Sequence, residues 1–186
     1  GEYDLLLVGL GKSIFEGTIL GRVLGFTSRF INPDRLLDKF TGKEGLFENS
    51  PFDDRTRLII SKSKTPLGIL IDKDLKKVEN VTIPIMSIGD AFLFDYAERL
   101  IFNNNTKVTI IENEGQRKNN FIIENAVAGL KLKYANNLQI VEYGKLNKAF
   151  LKKQDLIVVS LESWKKIVDE EETWLSDIPS ALIVKP

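Results

Sequence analysis

At 186 residues the chain can bury one full domain and part of a second. Its 26 Lys plus Arg are matched by 26 Asp plus Glu, so neither a nucleic-acid footprint nor an acidic solvating tail is written into its charge. With no cysteine and no histidine, disulfides, thiolate metal sites, the commonest general base and the commonest catalytic metal ligand are all excluded.

Taken in order, residues 3–11 open on an unbroken apolar run, Leu5, Leu6, Leu7 and Val8, closed by glycine. A run this short suits a central parallel strand covered on both faces. Residues 14–30 read as one helix, with Ile19, Val23 and Phe26 on a buried stripe. Gly17, Gly21 and Gly25 fall four apart on one helical face. Lys12, Glu16, Arg22 and Arg29 interrupt them, which favours close helix packing in a soluble fold over a membrane helix pair. Asn32-Pro33-Asp34 is a helix start, residues 41–51 are a loop, and residues 53–61 are a short helix. A strand led by Pro66 follows, at residues 66–71.

Residues 72–80 (DKDLKKVEN) are charged and lack apolar periodicity. They read as the main boundary, dividing a partial unit at residues 1–72 from a complete one at 81–186 with a linker at 73–80. On that reading Leu75→Asp would cost no more than about 0.5 kcal/mol. Strands are then expected at 81–86, 107–112, 138–143, 155–160 and 181–184. Helices are expected at 91–102, 120–134, 145–153 and 163–175, the last carrying both Trp164 and Trp174. Ser87 to Asp90 has the spacing of a capping box.

The opening strand recurs. With an offset of 151, Asp4 matches Asp155, Leu5 matches Leu156 and Val8 matches Val159, and each copy leads to a proline-led strand, at Pro66 and at Pro179. Strands alternating with helices imply βαβ crossovers. The fold class is therefore α/β: a doubly wound parallel sheet of order 3-2-1-4-5, extended by a partial second unit. The strands at residues 67–71 and 181–184 are expected to lie antiparallel about a pseudo-twofold axis, giving one mixed sheet of seven strands. Were that pairing blocked, the same edge strands would form a homodimer.

The residues from Val81 to Ile85, with Pro84 before the loop, resemble the first strand of the universal stress protein fold. The helix from Asp90, the strand from Lys107 and the closing Ile178-Pro179 pair continue the likeness. More closely, residues 3–37, followed by PFDDRTR and TPLGILID, resemble the cytoplasmic C-terminal tail of bacterial sodium/proton (cation–proton) antiporters, whose tails carry tandem modules of this type. The resemblance covers nearly the whole chain. It implies a soluble regulatory or interaction domain, possessing no enzyme activity and sensing a ligand, at the cytoplasmic face of the bacterial inner membrane. Its partner would be the transporter's own membrane domain. The alternative is a free-standing nucleotide-binding stress-type protein. The Gly1 start without Met reads as a fragment and favours the first.

Two groups are candidates for a nucleotide or anion crevice. The first is Gly9, Gly11 and Gly21, in a glycine arrangement that departs from the stress-protein phosphate signature: Gly9 is one residue too close and Arg22 replaces the hydroxyl residue. The same spacing also suits a tight strand-to-helix turn. The second is Ser87, Asp90, Ser160 and Ser163, which frame the place where strand order reverses in a doubly wound sheet, although Ser87 and Ser163 also suit helix caps. Met86 stands where nucleotide-binding members carry aspartate, and Ser160-Leu161-Glu162-Ser163 lacks glycine, so ATP is not expected as a cofactor. Glu170–Glu172 and Lys145, Lys148, Lys152 and Lys153 read as solvated faces. No nucleophile, base and oxyanion hole occur together, no metal set is present, no nucleic-acid partner is implied, and no run approaches the 18 or so apolar residues that a membrane span needs.

Overall fold

The computed structural model describes residues 4–10, 14–31, 54–112, 118–170 and 174–186. The chain runs β1 (Leu5–Leu10), α1 (Ile14–Leu24), β2 (Ser28–Ile31), α2 (Asp54–Lys62) and β3 (Leu67–Ile71). It continues through β4 (Asn80–Ile85), a 3₁₀ turn (Ile88–Phe92), α3 (Leu93–Asn104), β5 (Lys107–Glu112), α4 (Phe121–Tyr134) and β6 (Leu138–Glu142). Last come α5 (Lys148–Leu151), β7 (Leu156–Ser160), α6 (Leu161–Asp169) and β8 (Ser180–Lys185).

These strands form one sheet in the order β2-β1-β3-β8-β7-β4-β5-β6. Every neighbouring pair is parallel except β3 with β8, which run antiparallel with Leu67 opposite Lys185 and Ile69 opposite Ile183. From β4 onward the order is the expected 3-2-1-4-5, and the expected antiparallel joint is present. The fold is a doubly wound α/β sheet with a partial second unit attached along β8.

Two apolar layers cover the sheet. On one face Leu5, Leu7, Leu20 and Leu24 pack in a single cluster with Ile83, Leu93, Leu100, Val127 and Leu182, drawn from both halves of the chain. On the other face Val8 and Ile69 share a cluster with Ile157, Trp164, Ile167 and Ile183. Phe26 stitches the halves further. Its ring lies 5.3 Å from that of Tyr96, and the Arg99 guanidinium sits 4.1 Å over it.

The repeat at offset 151 has a physical role. Asp4, leading β1, accepts the Thr27 N–H and hydroxyl at 3.1 and 2.6 Å, just before neighbouring β2. Asp155, leading β7, accepts the Glu79 and Asn80 N–H groups at 2.9 Å each, where neighbouring β4 begins. In both copies the aspartate pins the start of the adjacent parallel strand.

Four expectations need correction. The helix expected over residues 14–30 ends at Leu24, and Ser28–Ile31 pair with β1 as an edge strand, so the sheet has eight strands and not seven. Gly25 is the cause. At φ +65° it takes the left-handed conformation that closes helices, and an added Cβ would meet Asn103 Nδ2 at 2.7 Å. The helix expected over 163–175 spans Leu161–Asp169, and Trp174 lies beyond it against a short 3₁₀ turn; both tryptophans are buried at 5% exposure.

The third correction concerns residues 72–80. They form no helix or strand before Asn80, yet Leu75 and Val78 are core residues at 4% and 3% exposure. The segment is a strap tied at several points. The Asp72 carboxylate accepts the Leu75 N–H at 2.8 Å, Lys73 N–H donates to Ser180 Oγ at 2.9 Å, and the Val78 carbonyl accepts from Asn104 and Thr106. Finally, α3 starts two residues later than expected, because residues 88–92 wind as a 3₁₀ turn. The helix start at Asn32 and the loop at 41–51 lie outside the described residues.

Candidate functional site

The antiparallel joint separates the two candidate groups. Because β3 and β8 point in opposite directions, the carboxyl ends of β1–β3 lie at one end of the sheet and those of β4–β8 at the other. Gly9, near the carboxyl end of β1, therefore shares no crevice with Ser87, Asp90, Ser160 and Ser163. Gly9 is buried opposite Leu70 of β3, and Gly21 is buried in the middle of α1, where its N–H belongs to the helix. Gly11 is outside the described residues.

The other four residues do converge. Asp90 sits in the 3₁₀ turn after β4, Ser160 ends β7, and Ser163 lies in the first turn of α6, so the group occupies the point where strand order reverses. The Asp90 side chain is 1% exposed and accepts hydrogen bonds from every side. Met86 N–H and Ser87 N–H donate to Oδ2 at 2.8 and 2.9 Å. Ser163 Oγ donates to both carboxylate oxygens at 2.9 and 2.8 Å, and Ser160 Oγ donates to Oδ1. Ser160 Oγ in turn accepts the Ser163 N–H at 3.1 Å, capping α6. The capping-box spacing of Ser87 and Asp90 is thus used, but the carboxylate also reaches seventy residues along the chain.

This arrangement is already filled by a side chain of the chain itself. The backbone N–H groups after β4 and at the start of α6, which in this fold class would meet a phosphate, donate instead to Asp90 and Ser160. Glu162 lies at the same end of the sheet, as does the buried Glu112 at the carboxyl end of neighbouring β5. Glu112 is a residue that sequence reading passed over. Its only signal is an acidic side chain ending an otherwise apolar strand.

At the opposite end, where β4, β7 and β8 begin, lies a groove of about 540 Å³. The strap forms one wall through Lys73, Asp74 and Leu75, while Lys152, Asp155 and Ile178 form the other. Its charges are mixed and largely engaged: Lys76 pairs with Asp74 at 2.9 Å, Lys148 pairs with Asp177 at 2.8 Å, and Lys73 Nζ donates to the Ile178 carbonyl at 3.0 Å. Among the described residues no cluster of acidic side chains is arranged to hold a metal ion, and no helix is long and apolar enough to cross a membrane.

No family model matches the chain, and no curated protein matches it. Solved structures do. The cytoplasmic domain of a prokaryotic cation chloride cotransporter aligns at 15% identity and TM-score 0.49, covering 97% of this chain and 83% of that one. A functionally unknown protein from Pseudomonas aeruginosa aligns at 12% identity and TM-score 0.43, over 98% of this chain and 82% of that one. The ligand-free aspartate transcarbamoylase of Trypanosoma cruzi aligns at 13% identity and TM-score 0.31, over 84% of this chain and 62% of that one.

Proposed function

We propose that the chain is a regulatory and interaction domain of a bacterial cation–proton antiporter, with no chemistry of its own, acting on the transporter's membrane domain at the cytoplasmic face. The observation that carries the non-enzymatic part is Asp90. At the position where a doubly wound sheet ordinarily offers N–H groups to a ligand, the buried Asp90 carboxyl and the Ser160 hydroxyl take them. A site whose donors are taken by its own side chains is a structural joint, with none of those N–H groups left for a phosphate. The antiporter part rests on the sequence resemblance of residues 3–37, 51–57 and 65–72.

The test is made in the parent reading frame. It should encode ten or more apolar segments of about 20 residues ahead of this chain. Membrane vesicles containing the full protein should exchange sodium for protons. Deleting residues 1–186 should leave exchange intact while changing its rate or its pH dependence. A frame without apolar spans, or exchange identical in every respect after the deletion, would rule the reading out. The alternative, a free-standing nucleotide-binding protein, is tested by titration with Mg-ATP, below.

A further inference from the structure

Helix α4 does not behave as a surface helix. Its inner face is buried through Ile123, Val127 and Leu130, and its outer face carries an apolar stripe between charged flanks. Phe121 is 75% exposed, Ile122 54% and Leu132 88%, and the exposed residues between them include Ala128 and Gly129. Large apolar side chains exposed together on one helix face ordinarily mark a surface that another protein covers. Nothing lies within 4 Å of a Cβ built on Gly129.

We infer that this outer face packs, antiparallel, against the same face of a second copy of the chain. The residues are self-complementary when laid out at heptad spacing. Phe121, Asn125, Ala128 and Leu132 alternate at steps of four, three and four and form the seam. In an antiparallel pair about a twofold axis, Phe121 meets Leu132 of the second copy and Asn125 meets Ala128, each twice. Ile122 then falls over Gly129 of the second copy, large against absent. On the other flank Glu124 falls beside Lys131 of the second copy, again twice, so the charges match. Neither Glu124 nor Lys131 forms an ion pair among the described residues, whereas neighbouring Lys133 is held by Glu98 at 3.0 Å. β3 and β8 are already paired with each other within the chain, so those two strands are not what this face offers a partner. One helix stripe presents far less than the roughly 800 Å² per partner of a standard stable interface, so the dimer is a weak one, with a dissociation constant on the order of 100 µM.

The absence of cysteine allows a direct test. Asn125→Cys and Ala128→Cys proteins, mixed in equal amounts near 1 mM and oxidised, should yield a cross-linked heterodimer well above the yield from either alone. In sedimentation equilibrium Glu124→Lys should weaken association roughly tenfold, and the swap Glu124→Lys with Lys131→Glu should restore it. The swap is unfavourable for the helix dipole, so recovery cannot come from a more stable helix. A mixture that cross-links no better than its components, or a swap that stays as weak as the single variant, overturns the inference. So does a chain that is monomeric at every concentration and sediments with anionic vesicles.

Discussion

Replacing Asp90 by alanine should cost about 3 kcal/mol in urea denaturation, because two serine hydroxyls and two N–H groups lose their acceptor inside the protein. Ser160→Ala should cost about 1.5 kcal/mol, losing both the carboxylate contact and the α6 cap. Asp90→Asn keeps the shape but supplies an amide where four donors already converge, so it should fall closer to alanine than to wild type. At Gly68, the second residue of β3, an added Cβ would meet Leu7 Cδ2 at 2.8 Å and Leu182 Cδ1 at 3.0 Å. Gly68→Ala should therefore destabilise by roughly 1–2 kcal/mol through overpacking, with flexible leucine ends absorbing part of the strain. The placement of the Asp90 site was legible in the sequence: the expected strand order put Ser87, Asp90, Ser160 and Ser163 at one reversal point. What was not legible is that the Asp90 carboxyl takes both serine hydroxyls, a contact that nothing local announces. That contact exists only once β4 and β7 are neighbours.

The strap of residues 72–80 makes the sharpest prediction among the elements. Leu75→Asp should cost about 3 kcal/mol, not the half kilocalorie that a solvated linker would allow, since it buries a charge in the shared core. Loss within 0.5 kcal/mol of wild type would show that Leu75 is dispensable. Its misreading is instructive. Leu75 and Val78 are buried by closing the end of the sheet, and a strap has neither the 3.6- nor the 2-residue period by which core residues are usually recognised. Gly25 misled for the opposite reason: it fits a four-residue series with Gly17 and Gly21, and that regularity hid a helix stop. By contrast β4, β5, β7 and β8 were legible because short apolar runs alternate with amphipathic helices. The β3–β8 joint followed from two incomplete edges that needed partners. Ile183→Pro should break it. The substitution removes a ladder donor from a strand now flanked on both sides, and amide exchange over residues 67–71 should accelerate markedly. Unchanged protection there would mean that β3 does not depend on β8.

At the scale of the whole molecule, both apolar layers draw residues from before and after the strap, so the two halves should melt together. Fluorescence of Trp164 and Trp174, both in the second half, and far-ultraviolet dichroism should report one coincident transition. Two separated transitions would show that the shared core is weaker than its composition implies. Calorimetric titration with Mg-ATP should show no binding in the micromolar range, and a dissociation constant at or below about 10 µM would contradict the closed crevice. The register across the joint also settles where the described chain ends lie. Leu6 stands opposite Leu67, and Leu67 opposite Lys185, on three adjacent strands. Two strand spacings, roughly 10 Å, therefore separate the start of β1 from the end of β8. A tether of a few residues would join them without strain, so the chain is suited to circular permutation. It is equally suited to insertion as a loop into another protein, entering and leaving through a single doorway.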